Sequence, residues 1–175
     1  MLNARELELC VDRFGTDIYR FCLKMCTDRQ DAEDLYQQTF LKAMEKEWTL
    51  DWGQNPRALF FSLAHYIWKS SKRKSARRAS IAPCSNLEEE QTNLLRAEGS
   101  PEEDYLREEL FFEVNRLIEA LPEKIRVPIT LYYLFELPIE EIAQILEKPA
   151  GTIKSRLFKG RKIIKKGLEE SGYGI

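Results

Sequence analysis

The stretch Leu137–Lys166, LPIEEIAQILEKPAGTIKSRLFKGRKIIKK, decides the fold. EEIAQIL repeats apolar residues at helical spacing and predicts a short helix from Ile139 to Leu146. Glu147-Lys148-Pro149 is a turn, and the chain beyond it continues as one long helix. Placed at about 100° per residue, Ile153, Leu157, Gly160 and Ile164 fall in a narrow inward sector. Ser155, Phe158, Lys159, Lys162 and Lys165 fall opposite, with Lys154 at their edge. A short support helix, a tight turn and a second helix with one apolar and one basic face make a helix-turn-helix. Gly151 and Thr152 open the second helix, where exposed N–H groups can hold a phosphate.

Upstream, Ser100-Pro101-Glu102-Glu103 reads as a capping box with proline in the first turn. It predicts a helix through Leu106, Leu110, Val114, Leu117 and Leu121, ending at Pro122. Another helix is expected from Glu123 to Phe135, bent or split by Pro128.

These residues resemble a family. The segments Leu121-Pro122-Glu123, Glu140-Glu141-Ile142-Ala143 and Pro149-Ala150-Gly151-Thr152-Ile153-Lys154-Ser155-Arg156-Leu157 resemble the promoter-recognition domain of sigma factors of the extracytoplasmic-function group. The resemblance implies that Lys154, Ser155, Phe158 and Lys159 reach base edges of the −35 element. It implies that Gly151, Thr152, Arg156 and Arg161 position the helix on phosphates; Lys162, on the same basic face, joins them. The chain departs from the family in carrying Glu136 and Glu147 where glycine is usual and Pro138 where a serine cap is usual. Pro128 and Tyr132 stand where an aliphatic residue and an arginine are commoner.

The N-terminal half is helical too. Leu7, Cys10, Val11, Phe14, Ile18, Phe21, Cys22 and Met25 define a first helix, within which Gly15 marks a bend or a break. Thr27-Asp28 stops it and caps a second, from about Asp31 to Glu47, with Ala32, Leu35, Tyr36, Phe40, Ala43 and Met44 inward. A loop from Thr49 to Asn55 leads to a third, capped by Asn55 with Pro56 in its first turn. There Leu59, Phe60, Leu63, Ala64 and Ile67 form the apolar stripe. That helix is expected to fade within KSSKRKSARR, Lys69–Arg78.

In the second helix Asp34, Gln37, Gln38 and Leu41 share the outward side, a polar face with one exposed leucine. Asp31–Phe40, DAEDLYQQTF, resembles the family's polymerase-binding helix, with Gln38 where glutamate is commoner. The resemblance assigns Asp31, Asp34, Gln37, Gln38 and Leu41 to that contact. In the third helix Arg57, Phe61, His65, Trp68, Lys69 and Lys72 lie away from the apolar stripe, with Arg73 beyond. Aromatics spaced along a basic helix suit stacking on unpaired bases, worth about 1–3 kcal/mol per base. The alternative is that Phe61 and Trp68 are core residues contacting another helix, which suits Trp68 equally well. The segment resembles the family's −10-recognising region in placement and from Phe60 to Ala64. It lacks the tryptophan usual at Leu59 and the asparagine usual at Tyr66.

Charge agrees with this division. The net charge is −2, but Gly53–Leu87 holds seven basic residues and no acid, and Lys148–Leu168 holds eight and no acid. Between them Glu88–Glu109 holds nine acids. Phosphate binding follows the local field rather than the sum. The Ser-, Pro-, Asn- and Glu-rich run from 79 to 99 reads as a flexible linker.

The expected fold is therefore all-α: two small helical domains, 1–78 and 100–175, on a tether. The expected function is a transcription initiation factor that binds core RNA polymerase and directs it to promoter DNA, duplex and melted. A stand-alone helix-turn-helix regulator is the alternative. Such factors are typically held by an anti-sigma partner, which the resemblance implies here. No glycine-rich phosphate loop or nucleophile–base pair points to an enzyme, cofactor or small-molecule substrate. With one histidine, His65, and no CxxC among Cys10, Cys22, Cys26 and Cys84, no metal site is expected. Cys22 is expected to pack as a small buried apolar residue. The absence of an apolar run of about 20 residues predicts no membrane insertion. An acidic N-terminus unlike a secretory signal places the protein in the cytoplasm.

Overall fold

A computed structural model describes residues 4–45, 55–79 and 101–174. The chain divides into two compact units, Met1–Thr92 and Asn93–Ile175. Among the described residues there are seven α-helices and no strands, the all-helical class expected. The linker expected over 79–99 lies outside the described residues except for Ala79, as do Cys84, the Ser100 cap and 49–54 of the first loop.

The first unit holds α1 (Ala4–Met25), α2 (Arg29–Glu45) and α3 (Pro56–Ala79). Asp28 caps α2: its Oδ1 accepts from the Asp31 N–H at 2.8 Å. Asn55 does the same for α3, accepting from the Arg57 N–H at 3.1 Å. Gly15 neither breaks nor ends α1. It is buried, and a Cβ there would meet the Tyr36 hydroxyl at 2.9 Å, so glycine lets α2 bring Tyr36 against α1.

The core is aromatic. Phe21 and Phe61 meet edge-on at 5.1 Å between centroids, and Phe40 and Phe60 lie 4.9 Å apart. Such pairs add about 0.5–1.5 kcal/mol beyond the area they bury. Cys10 and Cys22 are fully buried, Cys22 as expected. Burial, and then charge on Cys26, pushes the Cys22 thiol far up. Burial, then Asp31 and Asp28, pushes Cys26 up to about 12. Thr39 is buried within α2 and satisfies its hydroxyl on Leu35 O at 2.7 Å.

One boundary differs from expectation. The α3 helix does not fade in the basic tract but runs through it to Ala79, with residues 71–77 exposed. Lys, Arg and Ala are good helix formers, and the tract contains neither Gly nor Pro to end it.

The second unit holds α4 (Pro101–Glu119), α5 (Glu123–Tyr133), α6 (Ile139–Ile145) and α7 (Ala150–Glu170). Its core gathers Leu121, Ile125, Ile129, Leu131, Leu137, Ile142, Ile153 and Leu157. Pro128 lies inside α5 without splitting it. Its ring is fully buried, so packing offsets the missing N–H. Glu113 of α4 ties down the far end of α7. It accepts from Arg116 at 2.6 and 2.8 Å and from the Ser171 hydroxyl at 2.5 Å. The Arg116 hydrogen bonds first, and then Ser171, hold its carboxyl down at about 2.

The unusual residues around α6 now have a conformational reading. Glu136 and Glu147 have φ of 53° and 51°, the left-handed region that glycine enters cheaply. At the end of α6 the Lys148 N–H donates to Ala143 O at 2.9 Å and the Glu147 N–H to Gln144 O at 3.2 Å. This is a Schellman closure. The end of α7 closes identically, Tyr173 N–H to Leu168 O and Gly172 N–H to Glu169 O, with glycine at φ 88°. Glu147 thus does in strain what Gly172 does freely. Glu147→Gly should raise the thermal midpoint of this unit by several degrees, a gain of about 0.5–1 kcal/mol. Relief of about 1–2 kcal/mol is partly offset by a freer unfolded chain. Thermal denaturation of the full chain measures it; an unchanged or lower midpoint would refute the strain argument.

Candidate nucleic-acid interface

The second unit builds a basic face on α7, seated on α6 and the turn. Ile142 and Ile145 of α6 and Ile153 and Leu157 of α7 point inward. Gly160 lets α7 close on α5, where a Cβ would come within 2.7 Å of Ile129. This inner seating turns Gly151, Lys154, Ser155, Phe158, Lys159 and Lys162 outward, all exposed, with Thr152 and Arg156 half-buried. Phe158 stands 64 % exposed among those lysines. The Ser155 hydroxyl donates back to Thr152 O at 3.0 Å, and exposed Arg161 reaches the Tyr133 hydroxyl at 3.4 Å.

Two details bear on a phosphate ligand. A Cβ at Gly151 would meet nothing within 4 Å, so no packing within the protein requires glycine there. The open approach suits another backbone coming close to the first turn of α7. The charge on α7 is also graded along its length. Lys165 and Lys166 face Glu169 and Glu170 one turn on, at 3.9 and 3.5 Å. Among the described residues Lys154, Lys159 and Lys162 have no such carboxylate.

In the first unit the outer side of α2 presents Asp31, Asp34, Gln37, Gln38 and Leu41, all exposed. Leu41 is 58 % exposed. Burial first, then the neighbouring Asp28, raises the Asp31 carboxyl above its usual value. Asp34 accepts from Gln30 at 3.4 Å.

On α3 the structure corrects the expected arrangement. Phe61 is fully buried and Trp68 is 7 % exposed, so neither ring is presented to a base. The reason is that α3 packs against both α1 and α2, and its buried arc is wider than one stripe. Phe60, Leu63 and Ala64 are covered as expected, but Phe61 and Trp68 are covered too, and Phe61 seats on Phe21 of α1. Arg57 serves the same contact: its Nη1 donates to Asp17 Oδ2 at 2.8 Å, and its guanidinium lies 5.8 Å from the Phe61 ring. His65 is half-buried beside Trp68 at 5.9 Å, and the Lys72 ammonium lies 5.1 Å from the Trp68 ring. Lys69 and Arg73 are exposed. The aromatic that α3 leaves in solvent is Tyr66, at 66 % exposure, which is not among the expected site residues. Its signal was available: Tyr66 sits opposite Phe61 and Trp68 once those two are taken as core.

A helical chain that ends in a helix-turn-helix with an unneutralised basic outer face is a DNA-binding protein. Residues 10–78 match the family model for sigma-70 region 2 and residues 111–164 that for sigma-70, region 4. The chain is 34 % identical over 140 residues to the ECF RNA polymerase sigma-E factor of Salmonella typhimurium, covering 77 % of this chain and 72 % of that one. It is 28 % identical over 173 residues to the RNA polymerase sigma-H factor of Pseudomonas aeruginosa, covering 95 % and 88 %. Its fold resembles that of the sigma factor RpoE, solved in complex with the anti-sigma factor NepR from Bartonella quintana. The TM-score is 0.77 at 22 % identity, covering 95 % of this chain and 98 % of that one. The chain belongs to the sigma-70 family, in its extracytoplasmic-function group. It is a promoter-directing transcription initiation factor and not a stand-alone regulator. No helix among the described residues is long and apolar enough to cross a membrane.

Proposed function

We propose that the chain docks on core RNA polymerase through the outer side of α2 and holds two promoter elements with separate units. Asp31, Asp34, Gln37, Gln38 and Leu41 form the docking face. In the second unit Lys154, Ser155, Phe158 and Lys159 read base edges of the upstream duplex element. Gly151, Thr152, Arg156, Arg161 and Lys162 hold its phosphates. In the first unit His65, Lys69, Lys72 and Arg73 line the path of the melted strand, while Arg57, Phe61 and Trp68 build the scaffold beneath. Residues 1–78 and 100–175 act as the two readers, and 79–99 as the tether. Binding of one reader raises the effective concentration of the other, so neither need bind tightly alone.

The factor is read as non-catalytic, working in the cytoplasm, where core polymerase and promoters meet. An anti-sigma factor that covers the docking and DNA faces is its expected antagonist; the Bartonella quintana neighbour was solved with one.

The observation that carries the docking assignment is Leu41, 58 % exposed on the outer side of α2, with Met44, expected inward, also exposed one turn on. Large apolar side chains bordered by polar groups have the anatomy of an interface anchor. Leu41→Asp should weaken binding to bacterial core polymerase by about 30-fold or more, as loss of a hot spot of about 2 kcal/mol requires. Its exposure predicts an unchanged thermal midpoint and unchanged duplex binding by the second unit. Reconstituted transcription from a promoter library reads the result. Wild-type output from the Leu41→Asp factor would remove this face from the docking surface.

A further inference from the structure

We propose that Tyr66 is the side chain of the first unit that stacks on an unpaired base of the opened promoter. The inference rests on the promoter-directing function above and adds a residue to it.

Over 56–70, packing of α3 against two helices leaves only Tyr66 and Lys69 exposed; beyond Ser70 the helix is exposed all round, and Arg73 continues their line. The three stand at i, i+3 and i+7, one above the other on the same side of the helix. Tyr66 is the most exposed large apolar side chain among the described residues, at 66 %. A single exposed aromatic is ordinary on a protein surface. What distinguishes this one is its surroundings. The whole of α3, from Pro56 to Ala79, carries no acid. Lys42 of α2 lies close enough for Tyr66 to act on it. Its ammonium is raised above its usual range chiefly by donating to Glu45 Oε2 at 2.7 Å, with the Tyr66 phenol adding to the effect.

Lys42 is thus already matched by Glu45, and among the described residues the free cations in line with the ring are Lys69 and Arg73 of α3. An aromatic face offered beside cations is what single-stranded nucleic acid needs: the ring takes a base and the ammonium and guanidinium groups take the backbone. A paired duplex cannot use it, because a base inside the stack has no free face. An amide, which the family usually carries at this position, can hydrogen-bond to the edge of a base. A phenol reads it by stacking and tolerates different bases. This chain should therefore be less selective for the base held at Tyr66.

The test uses the full chain assembled with bacterial core polymerase. The probe is a set of single-stranded oligonucleotides about 12 nucleotides long, each carrying 2-aminopurine at one position. Wild type and Tyr66→Phe should quench one position alike. Tyr66→Ala should lose that quenching and bind about 5- to 150-fold more weakly, the worth of one stacked base. Lys69→Ala and Arg73→Ala should flatten the salt dependence yet keep the quenching. Tyr66→Ala binding and quenching like wild type would overturn the proposal. So would a loss of core affinity in its place, which would make the ring a polymerase contact. If wild type forms no complex with core polymerase, the promoter-directing function fails first and the proposal falls with it.

Discussion

Replacing Lys154 and Lys159 together by alanine should cost the polymerase-bound factor at least 30-fold in affinity for its upstream duplex element. Each lysine that meets a base edge contributes about 1–3 kcal/mol of discrimination, so the pair is worth about 2–6 kcal/mol. The two act from the same outward face, with Phe158 exposed beside Lys159, and among the described residues neither is paired with a carboxylate. Their loss should be concentrated at particular bases, visible as a relaxed preference across a set of single-base variants of the element. Lys162→Ala offers the contrast. As a phosphate contact it should weaken all sequences alike and reduce the salt slope of log K by about 0.9. Lys165→Ala and Lys166→Ala should change little, because those ammonium groups already sit against Glu169 and Glu170 at 3.9 and 3.5 Å. Quantitative binding over a range of salt separates the three behaviours. Uniform weakening by the Lys154 and Lys159 substitutions would make α7 a phosphate clamp and move base readout elsewhere.

The difference between α7 and α3 shows what a sequence can disclose about a helix face. The α7 helix meets α6, α5 and α4 in turn along its length, all through the one side that carries Ile153, Leu157, Gly160 and Leu168, so the exposed side follows by subtraction. The α3 helix lies against two neighbours. Its apolar residues occupy more than one stripe, and choosing the stripe through Leu59, Phe60 and Ile67 put Phe61 and Trp68 on the wrong side. Only the identity of the second neighbour, Phe21 on α1 for Phe61 and Asp17 for Arg57, resolves that choice. Periodicity carries no information about a helix elsewhere in the chain. The glutamates around α6 show a different limit. Comparison with the family's usual glycine marks Glu136 and Glu147 as odd. A glutamate does not announce that its backbone has turned left-handed, and the Schellman closure at Glu147 appears only with coordinates. Caps were legible because Asp28 and Asn55 act on amides two or three residues away.

Gly160→Leu should lower the melting temperature of the second unit by more than about 12 °C and leave that of the first unit unmoved. Even a Cβ at position 160 would lie 2.7 Å from both Cδ1 and Cγ1 of Ile129 and 3.0 Å from Cγ2 of Ile125. Cγ1 and Cγ2 sit one bond from a branched Cβ, where rotation frees little space, and both isoleucines are buried. Gly160→Ala sets two effects against each other. Alanine is worth about 1 kcal/mol over glycine in a helix interior, while the crowding costs about 1–3 kcal/mol, so a modest net loss is expected. Leucine gains similar propensity but adds three further carbons to a contact that cannot hold one. A cost above about 3 kcal/mol follows, lowering the unit's midpoint by more than about 12 °C at 4–8 °C per kcal/mol. Gly167→Ala is the control. The atoms nearest its new methyl group all belong to Leu117, chiefly the rotatable tip of that side chain, so α4 can yield where α5 cannot. Calorimetry of the full chain should resolve a displaced transition for the second unit and an unmoved one for the first. With the proposed DNA face on α7, Gly160→Leu should also abolish upstream-element binding at temperatures where core-polymerase docking persists. A Gly160→Leu midpoint equal to wild type would mean that α7 does not close on Ile125 and Ile129, and that its basic face is positioned by some other contact.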